Sequence, residues 1–272
     1  MASFLAWLCK GGKGDFARRP ALREFLVRWG SHYYEQAELR GELGSIQKEK
    51  SFFAFHPHGC LSAGFTINGC FGADFAKASG RTNWLLDGNL RYKNPLFRAM
   101  SDAVANDDRH LESADKLSCQ KVMATGENVA LIPGGFQDAV AYQFGKDRTV
   151  FRRKKGFIKY CLQFGYRLHP VYTFGESTTF YAFTGLQRLR MRLSEYNIPM
   201  VLFFGWPLFP ILPMTNARIV TYVGKAIDLP HIPTPTPEEV DQWHTKYMES
   251  LKELFVAKRT EAGFPDAQLE IL

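Results

Sequence analysis

The stretch Ser51-Phe52-Phe53-Ala54-Phe55-His56-Pro57-His58-Gly59 constrains the fold of this chain more than any other. A run of aromatic and apolar residues is strand-forming and reads as a buried strand. Pro57 cannot donate a ladder hydrogen bond, so the strand ends there, and Gly59 lets the chain turn. Short apolar runs recur at 82–86, 128–133 and 167–174, separated by helix-like segments. That alternation predicts an α/β fold: a mainly parallel sheet flanked by helices. In such sheets the ligand crevice lies at the carboxyl ends of the strands, which is where His56 and His58 fall.

Between the strands, residues 16–29 form an amphipathic helix, with Phe16, Leu22, Phe25, Leu26 and Trp29 on one side and arginines between. It packs on the domain or lies on a membrane with its arginines toward headgroups. Residues 60–77 predict a helix with Leu61, Phe65, Phe71 and Phe75 on its apolar side. A helix restarts at Pro95, a short strand lies at 103–105, and 113–125 is helical with Gly126 as its cap. Another helix opens at 152–159. Trp243, Tyr247, Leu251, Leu254 and Phe255 stripe a terminal helix over 241–259, reached through a proline-rich lead at 230–237. The expected organisation is an amino-terminal segment, 1–30, followed by one domain, 31–272.

Composition enters through the partners it permits. Apolar residues make up 46% of the 272 and aromatic residues 14%, enough for a large core with apolar surface left for a greasy ligand or a bilayer interface. The net charge of +7 suits anionic partners, but no recognition helix, zinc-finger spacing or ribonucleoprotein motif accompanies it, so no nucleic-acid partner is expected. Five widely spaced cysteines without a Cys-x-x-Cys pair argue against a disulfide framework and for a reducing compartment. Residues 197–216 carry no charge and approach the length of a membrane span, but their four prolines defeat a straight helix. Two readings stand: a buried strand with a proline-rich loop, or an apolar flap dipped into a bilayer beside Arg188, Arg190 and Arg192.

Paired histidines at a strand end suit general-base chemistry, since imidazole titrates near neutrality. The same His-x-His spacing also suits metal ligands in a hydrolase, with further ligands sought among Asp87, Asp107, Asp108, His110 and His169. A lipid-binding protein without catalysis would explain the apolar surface but not the histidines.

Several blocks in order narrow the choice. His56-Pro57-His58-Gly59 resembles the diagnostic motif of the type 2 diacylglycerol acyltransferase family. Asp87-Gly88-Asn89-Leu90-Arg91-Tyr92-Lys93-Asn94-Pro95 with Arg98 is similar to its next block, and Pro133-Gly134-Gly135-Phe136-Gln137-Asp138-Ala139 to its Pro-Gly-Gly-x-x-Glu-Ala block. Arg153-Lys154-Lys155-Gly156-Phe157-Ile158-Lys159, Val171-Tyr172-Thr173-Phe174-Gly175-Glu176 and the terminal helix complete the likeness, which spans roughly residues 30 to 270.

The resemblance implies a glycerolipid-acyltransferase-like fold and transfer of an acyl group from acyl-CoA to a neutral-lipid hydroxyl, without metal or cofactor. The acceptor it implies first is diacylglycerol, with monoacylglycerol or a fatty alcohol as alternatives. It implies a membrane setting: the cytosolic face of the endoplasmic reticulum, with the lipid droplet. His58 becomes the general base, supported by His56, with Asp138 or Glu176 expected to orient it. Backbone N–H groups at Gly59, Gly134 and Gly135 are expected to face the oxyanion. Arg152, Arg153, Lys154 and Lys155, together with Arg109, are expected to hold the CoA phosphates. Related glycerolipid acyltransferases carry His-x₄-Asp, whereas five residues beyond His58 lies Ala63. The orienting acid must then come from elsewhere. Asp138 stands where the family has glutamate, and the family's amino-terminal membrane hairpin is missing. The expectation is either a fragment that begins after it or a chain held to the membrane by residues 1–29 and 198–214.

Overall fold

A computed structural model describes residues 20–94, 97–98, 101–102, 105, 109–196 and 200–272. Its centre is an eight-stranded sheet. In chain order the strands are β1 (Gln36–Gly41), β2 (Ser51–His56), β3 (Thr82–Leu86), β4 (Arg109–Ser113), β5 (Asn128–Leu131), β7 (Arg167–Phe174), β10 (Arg218–Val223) and β11 (Ile227–Asp228). The spatial order is β1-β10-β7-β2-β5-β3-β4, with β11 also on β7. Neighbours run parallel except where β10 and β11 meet β7. The expected mainly parallel sheet is therefore present.

β2 is buried along its whole length because it is central and covered on both faces. Side chains alternate across a strand, so Phe52 and Ala54 face one core while Phe53 and Phe55 face the other. The first core is closed by α3 (Lys116–Ala124), α5 (Gly156–Phe164) and α7 (Pro237–Lys258). The second is closed by α2 (Ala73–Ser79) and a π-helical turn, Gly64–Cys70, which brings Phe65 against Phe55 and Trp84. α7 begins in a capping box: Thr236 accepts from the Glu239 N–H and the Glu239 side chain accepts from the Thr236 N–H.

The helix expected over 60–77 is split. Gly72 approaches the Asn68 carbonyl so closely that an added Cβ would lie 2.1 Å from it, and the chain breaks there between the π turn and α2. The 103–105 strand and the Pro95 helix start fall largely outside the described residues, and so does Phe16 of the first helix. α1 is described from Pro20 to Tyr33 and ends beside the uncharged segment, where the Tyr33 hydroxyl donates to the Pro213 carbonyl at 2.6 Å.

The described part of that segment, 200–216, is neither helix nor buried strand. β8 (Tyr181–Ala182) pairs with β9 (Phe203–Phe204), and 205–212 closes a compact loop in which Gly205 donates to Pro210 and Trp206 to Leu212. α6 (Gln187–Glu195) packs alongside, and the buried Arg190 donates to the Phe183 and Met200 carbonyls. Leu202, Leu208 and Ile211 are 68%, 73% and 77% exposed, and Phe183, Leu186, Phe204 and Phe209 are exposed with them. The buried reading fails, and an outward-facing apolar lobe takes its place. Among the described residues no helix is long and apolar enough to cross a membrane.

Candidate active site

Three neighbouring strands, β5, β2 and β7, end together at one edge of the sheet, and each delivers one expected motif. β2 delivers His56 to Gly59. β5 leads through Gly134-Gly135 into α4 (Phe136–Ala141), and β7 runs into Gly175 and Glu176. The two histidines then take different roles.

His56 has the same parity as Phe52 and Ala54, so its ring enters the helix-covered core. It is fully buried, with Nδ1 3.0 Å from Thr149 Oγ1 and Nε2 2.7 Å from the Tyr247 hydroxyl. Burial holds its pKa down to about 3, so the ring is neutral. With both ring nitrogens occupied by hydroxyls, His56 is not half of a metal-ligand pair in this geometry. No group of three or more His, Cys, Asp or Glu able to hold a metal occurs among the described residues.

His58 is only partly buried. Its Nδ1 lies 3.1 Å from the Gly59 carbonyl. A carbonyl oxygen only accepts, so Nδ1 carries the proton and Nε2 keeps its lone pair. No described residue hydrogen-bonds Nε2, and it is not one of the buried atoms left without a partner. Burial depresses the His58 pKa, while the neighbouring Asp138 charge opposes that shift.

Neither candidate acid touches the His58 ring. Asp138 is buried, and its carboxylate accepts from the His58 backbone N–H at 3.0 Å, the Thr149 hydroxyl at 3.1 Å and the Val150 N–H. Glu176 is buried as well; its two oxygens accept from the N–H groups of Ala63 at 2.9 Å and Gly64 at 2.8 Å. Its side chain also lies against Gly59, where an added Cβ would come within 2.6 Å of Oε1 and where φ is +59°. Burial pushes the Glu176 carboxyl up to about 7 despite those two donors. Both acids hold the loop that carries His58 rather than its imidazole.

Of the glycines, Gly135 spends its N–H on the Ile132 carbonyl. The N–H groups of Gly59 and Gly134 have no partner among the described residues. The basic cluster is similarly divided. Arg152 is tied to the Ile271 carbonyl, Lys154 to the Gly134 carbonyl and Lys155 to Asp241, whereas Arg153 is exposed and makes no such bond among the described residues. Arg109 opens β4, paired with Thr82 at the start of β3. It therefore lies at the amino edge of a parallel pair, away from the edge where His58 sits.

The apolar lobe is rooted beside this edge. Cys60, two residues beyond His58, packs with Tyr142 and Phe180, and with Ala182 and Phe203 of the lobe. The Tyr142 hydroxyl bridges to the Ser177 and Phe180 carbonyls, and Phe144 stacks on Tyr181 with centroids 4.3 Å apart. Thr149 and Tyr247, which bracket His56, were not among the expected site residues. The only sequence signal for Tyr247 was its place on the apolar stripe of the terminal helix.

Comparison with known proteins agrees with the motifs. The diacylglycerol acyltransferase family matches residues 6–272. The protein named diacylglycerol O-acyltransferase 2 of Dictyostelium discoideum is 30% identical over 222 residues, covering 76% of this chain and 66% of that protein. The human protein of the same name is 28% identical over 236 residues, covering 80% and 58%. Human 2-acylglycerol O-acyltransferase 1 is 29% identical over 237 residues, covering 81% and 68%. The matches to these two diacylglycerol O-acyltransferase 2 proteins thus span less than two thirds of their length. Among solved structures, the 1-acyl-sn-glycerophosphate acyltransferase PlsC of Thermotoga maritima aligns with TM-score 0.45 at 11% identity, over 86% of this chain and 78% of that one.

Proposed function

The chain belongs to the diacylglycerol acyltransferase family, and from that premise we propose that it transfers a fatty acyl group from acyl-CoA to the hydroxyl of diacylglycerol, giving triacylglycerol. The observation that carries this reading is the His58 ring, with Nδ1 held by the Gly59 carbonyl and Nε2 open at the strand edge. Nε2 takes the hydroxyl proton as the lipid oxygen attacks the thioester carbonyl, a contribution of about 10² to 10⁴ in rate. The Gly59 and Gly134 N–H groups meet the resulting oxyanion. The tetrahedral intermediate then collapses, the C–S bond breaks, and the imidazolium returns its proton to the CoA thiolate.

The acceptor reaches the edge through the apolar lobe, whose exposed Leu202, Leu208 and Ile211 suit a lipid surface. The exposed Phe25 and Trp29 of α1 extend that surface, since α1 ends against Pro213. This reading sets the protein to work at a membrane, on the cytosolic face of the endoplasmic reticulum and at lipid droplets. The described cysteines are buried free thiols, in keeping with a reducing compartment. Monoacylglycerol is the second acceptor, favoured by similarity to a 2-acylglycerol O-acyltransferase at nearly the same identity.

The test is purified protein with labelled acyl-CoA and a mixed pool of diacylglycerol and monoacylglycerol, beside His58→Ala. Triacylglycerol formation that falls about 10²-fold or more in the variant supports the reading. Undiminished transfer by His58→Ala refutes it.

A further inference from the structure

We infer that Thr149 and Tyr247 are positioning residues, which act through His56 and Asp138 to fix the backbone that carries His58. The inference rests on the reading of His58 as the base and adds two residues to which the motifs assign no role at the site.

Donor and acceptor rules settle the direction of the bonds. Both Asp138 oxygens already accept a backbone N–H, Oδ2 from His58 and Oδ1 from Val150, so the carboxyl acts as an acceptor and the Thr149 hydroxyl donates to Oδ2 at 3.1 Å. The Thr149 oxygen is then free to accept from His56 Nδ1–H at 3.0 Å. That leaves a lone pair on His56 Nε2, which accepts the Tyr247 O–H at 2.7 Å; the alternative acceptor for that hydroxyl, the Ala54 carbonyl, lies at 3.5 Å. One chain of bonds therefore runs from Tyr247 to His56, Thr149 and Asp138. It ends on the very oxygen, Oδ2, that accepts the His58 backbone N–H.

Each member is held by a different part of the chain. Tyr247 lies on α7. Thr149 closes β6 (Asp147–Thr149), which pairs in parallel with β12 (Leu269–Ile271), Thr149 opposite Ile271. The carboxyl-terminal elements thus reach the His58 loop through one buried line of polar atoms, walled by Phe151, whose ring lies 4.5 Å from that of His56. The titratable groups that face Asp138 are His58 and Lys154, and Tyr247 is the titratable neighbour of His56. Loss of the Thr149 donor frees Oδ2 to shift, and His58 moves with its own N–H. Displacement of a catalytic group by about 1 Å costs on the order of 10² in rate.

The test compares Thr149→Val, Thr149→Ser and Tyr247→Phe with the parent and with His58→Ala. Thermal unfolding and secondary-structure content serve as controls. The expected result for Thr149→Val is a kcat lower by about 10-fold or more, with the KM for acyl-CoA within about two-fold. Thr149→Ser, which keeps the hydroxyl, restores most of that loss, and Tyr247→Phe lowers kcat in the same direction. Nitrogen NMR of the folded parent is expected to show His56 as the Nδ1–H tautomer. An inactive His58→Ala beside Thr149→Val and Tyr247→Phe of unchanged kcat overturns the inference and spares the reading of the base. An Nε2–H tautomer at His56 overturns it even if Thr149→Val does not fold. Activity in His58→Ala overturns both.

Discussion

Glu176→Gln separates holding the loop from supplying charge to the reaction. The Glu176 carboxyl is buried and pushed up to about 7 from its ordinary 4.5. A carboxyl whose folded pKa is raised keeps its proton in the folded state, so its contribution favours folding most below pH 4.5 and is lost as pH rises through about 7. Between pH 5.5 and pH 8 that linkage removes about 2 kcal/mol from the unfolding free energy of the parent. Glutamine does not titrate, so this part of the pH dependence disappears in the variant. The amide also sets its NH₂ against either the Ala63 or the Gly64 N–H, leaving one buried donor unmatched at a cost of about 1–3 kcal/mol. Urea unfolding at the two pH values measures both effects. The parent is expected to lose about 2 kcal/mol more than Glu176→Gln on going from pH 5.5 to pH 8. Parallel losses in the two proteins would refute the assignment of this carboxyl as a titrating loop anchor.

Three further outcomes follow from the same geometry. Gly134→Ala would place a Cβ 2.0 Å from Asp138 Oδ1, an oxygen already held by the Val150 N–H, and is expected to cost about 1–3 kcal/mol in unfolding free energy and to lower kcat. Arg153→Ala is expected to raise the KM for acyl-CoA several-fold in steady-state assays and to leave thermal stability within about 0.5 kcal/mol, because Arg153 is exposed and makes no bond among the described residues. Replacing Leu208 and Ile211 together by Asp is expected to abolish sedimentation with phosphatidylcholine vesicles while the far-UV spectrum stays unchanged, since both side chains face outward.

Four interior strands, β2, β3, β5 and β7, were legible because burial on both faces imposes an apolar run, whereas β10, an apolar and buried interior strand as well, was not singled out in the sequence. The edge strands were not legible. β1, Gln-Ala-Glu-Leu-Arg-Gly, and β4, Arg-His-Leu-Glu-Ser, face solvent enough to remain polar, and their place in the sheet comes from parallel pairing with β10 and β3. The 197–216 stretch shows the reverse case. Its apolar composition matched a buried strand and a bilayer flap equally, and only the packing of α6 and the 205–212 loop directs those side chains outward.

At the site, spacing located the motifs but not the hydrogen bonds between them. The strand parity of His56 was already fixed by Phe52 and Ala54, and parity alone turns its ring into the helix layer and away from the crevice. His58, beyond Pro57, is released from that alternation and keeps one nitrogen open. The missing acid five residues beyond His58 has the same explanation. Where Ala63 stands, the backbone N–H is used instead, bound to Glu176 from the end of β7, while Asp138 from beyond β5 takes the N–H of His58 itself. The local carboxylate of the His-x₄-Asp pattern is thus replaced by two distant ones that grip the main chain on either side of His58. Such an arrangement fixes the loop without an ion pair to the imidazole, and it ties the geometry of His58 to the packing of β5 and β7 against β2.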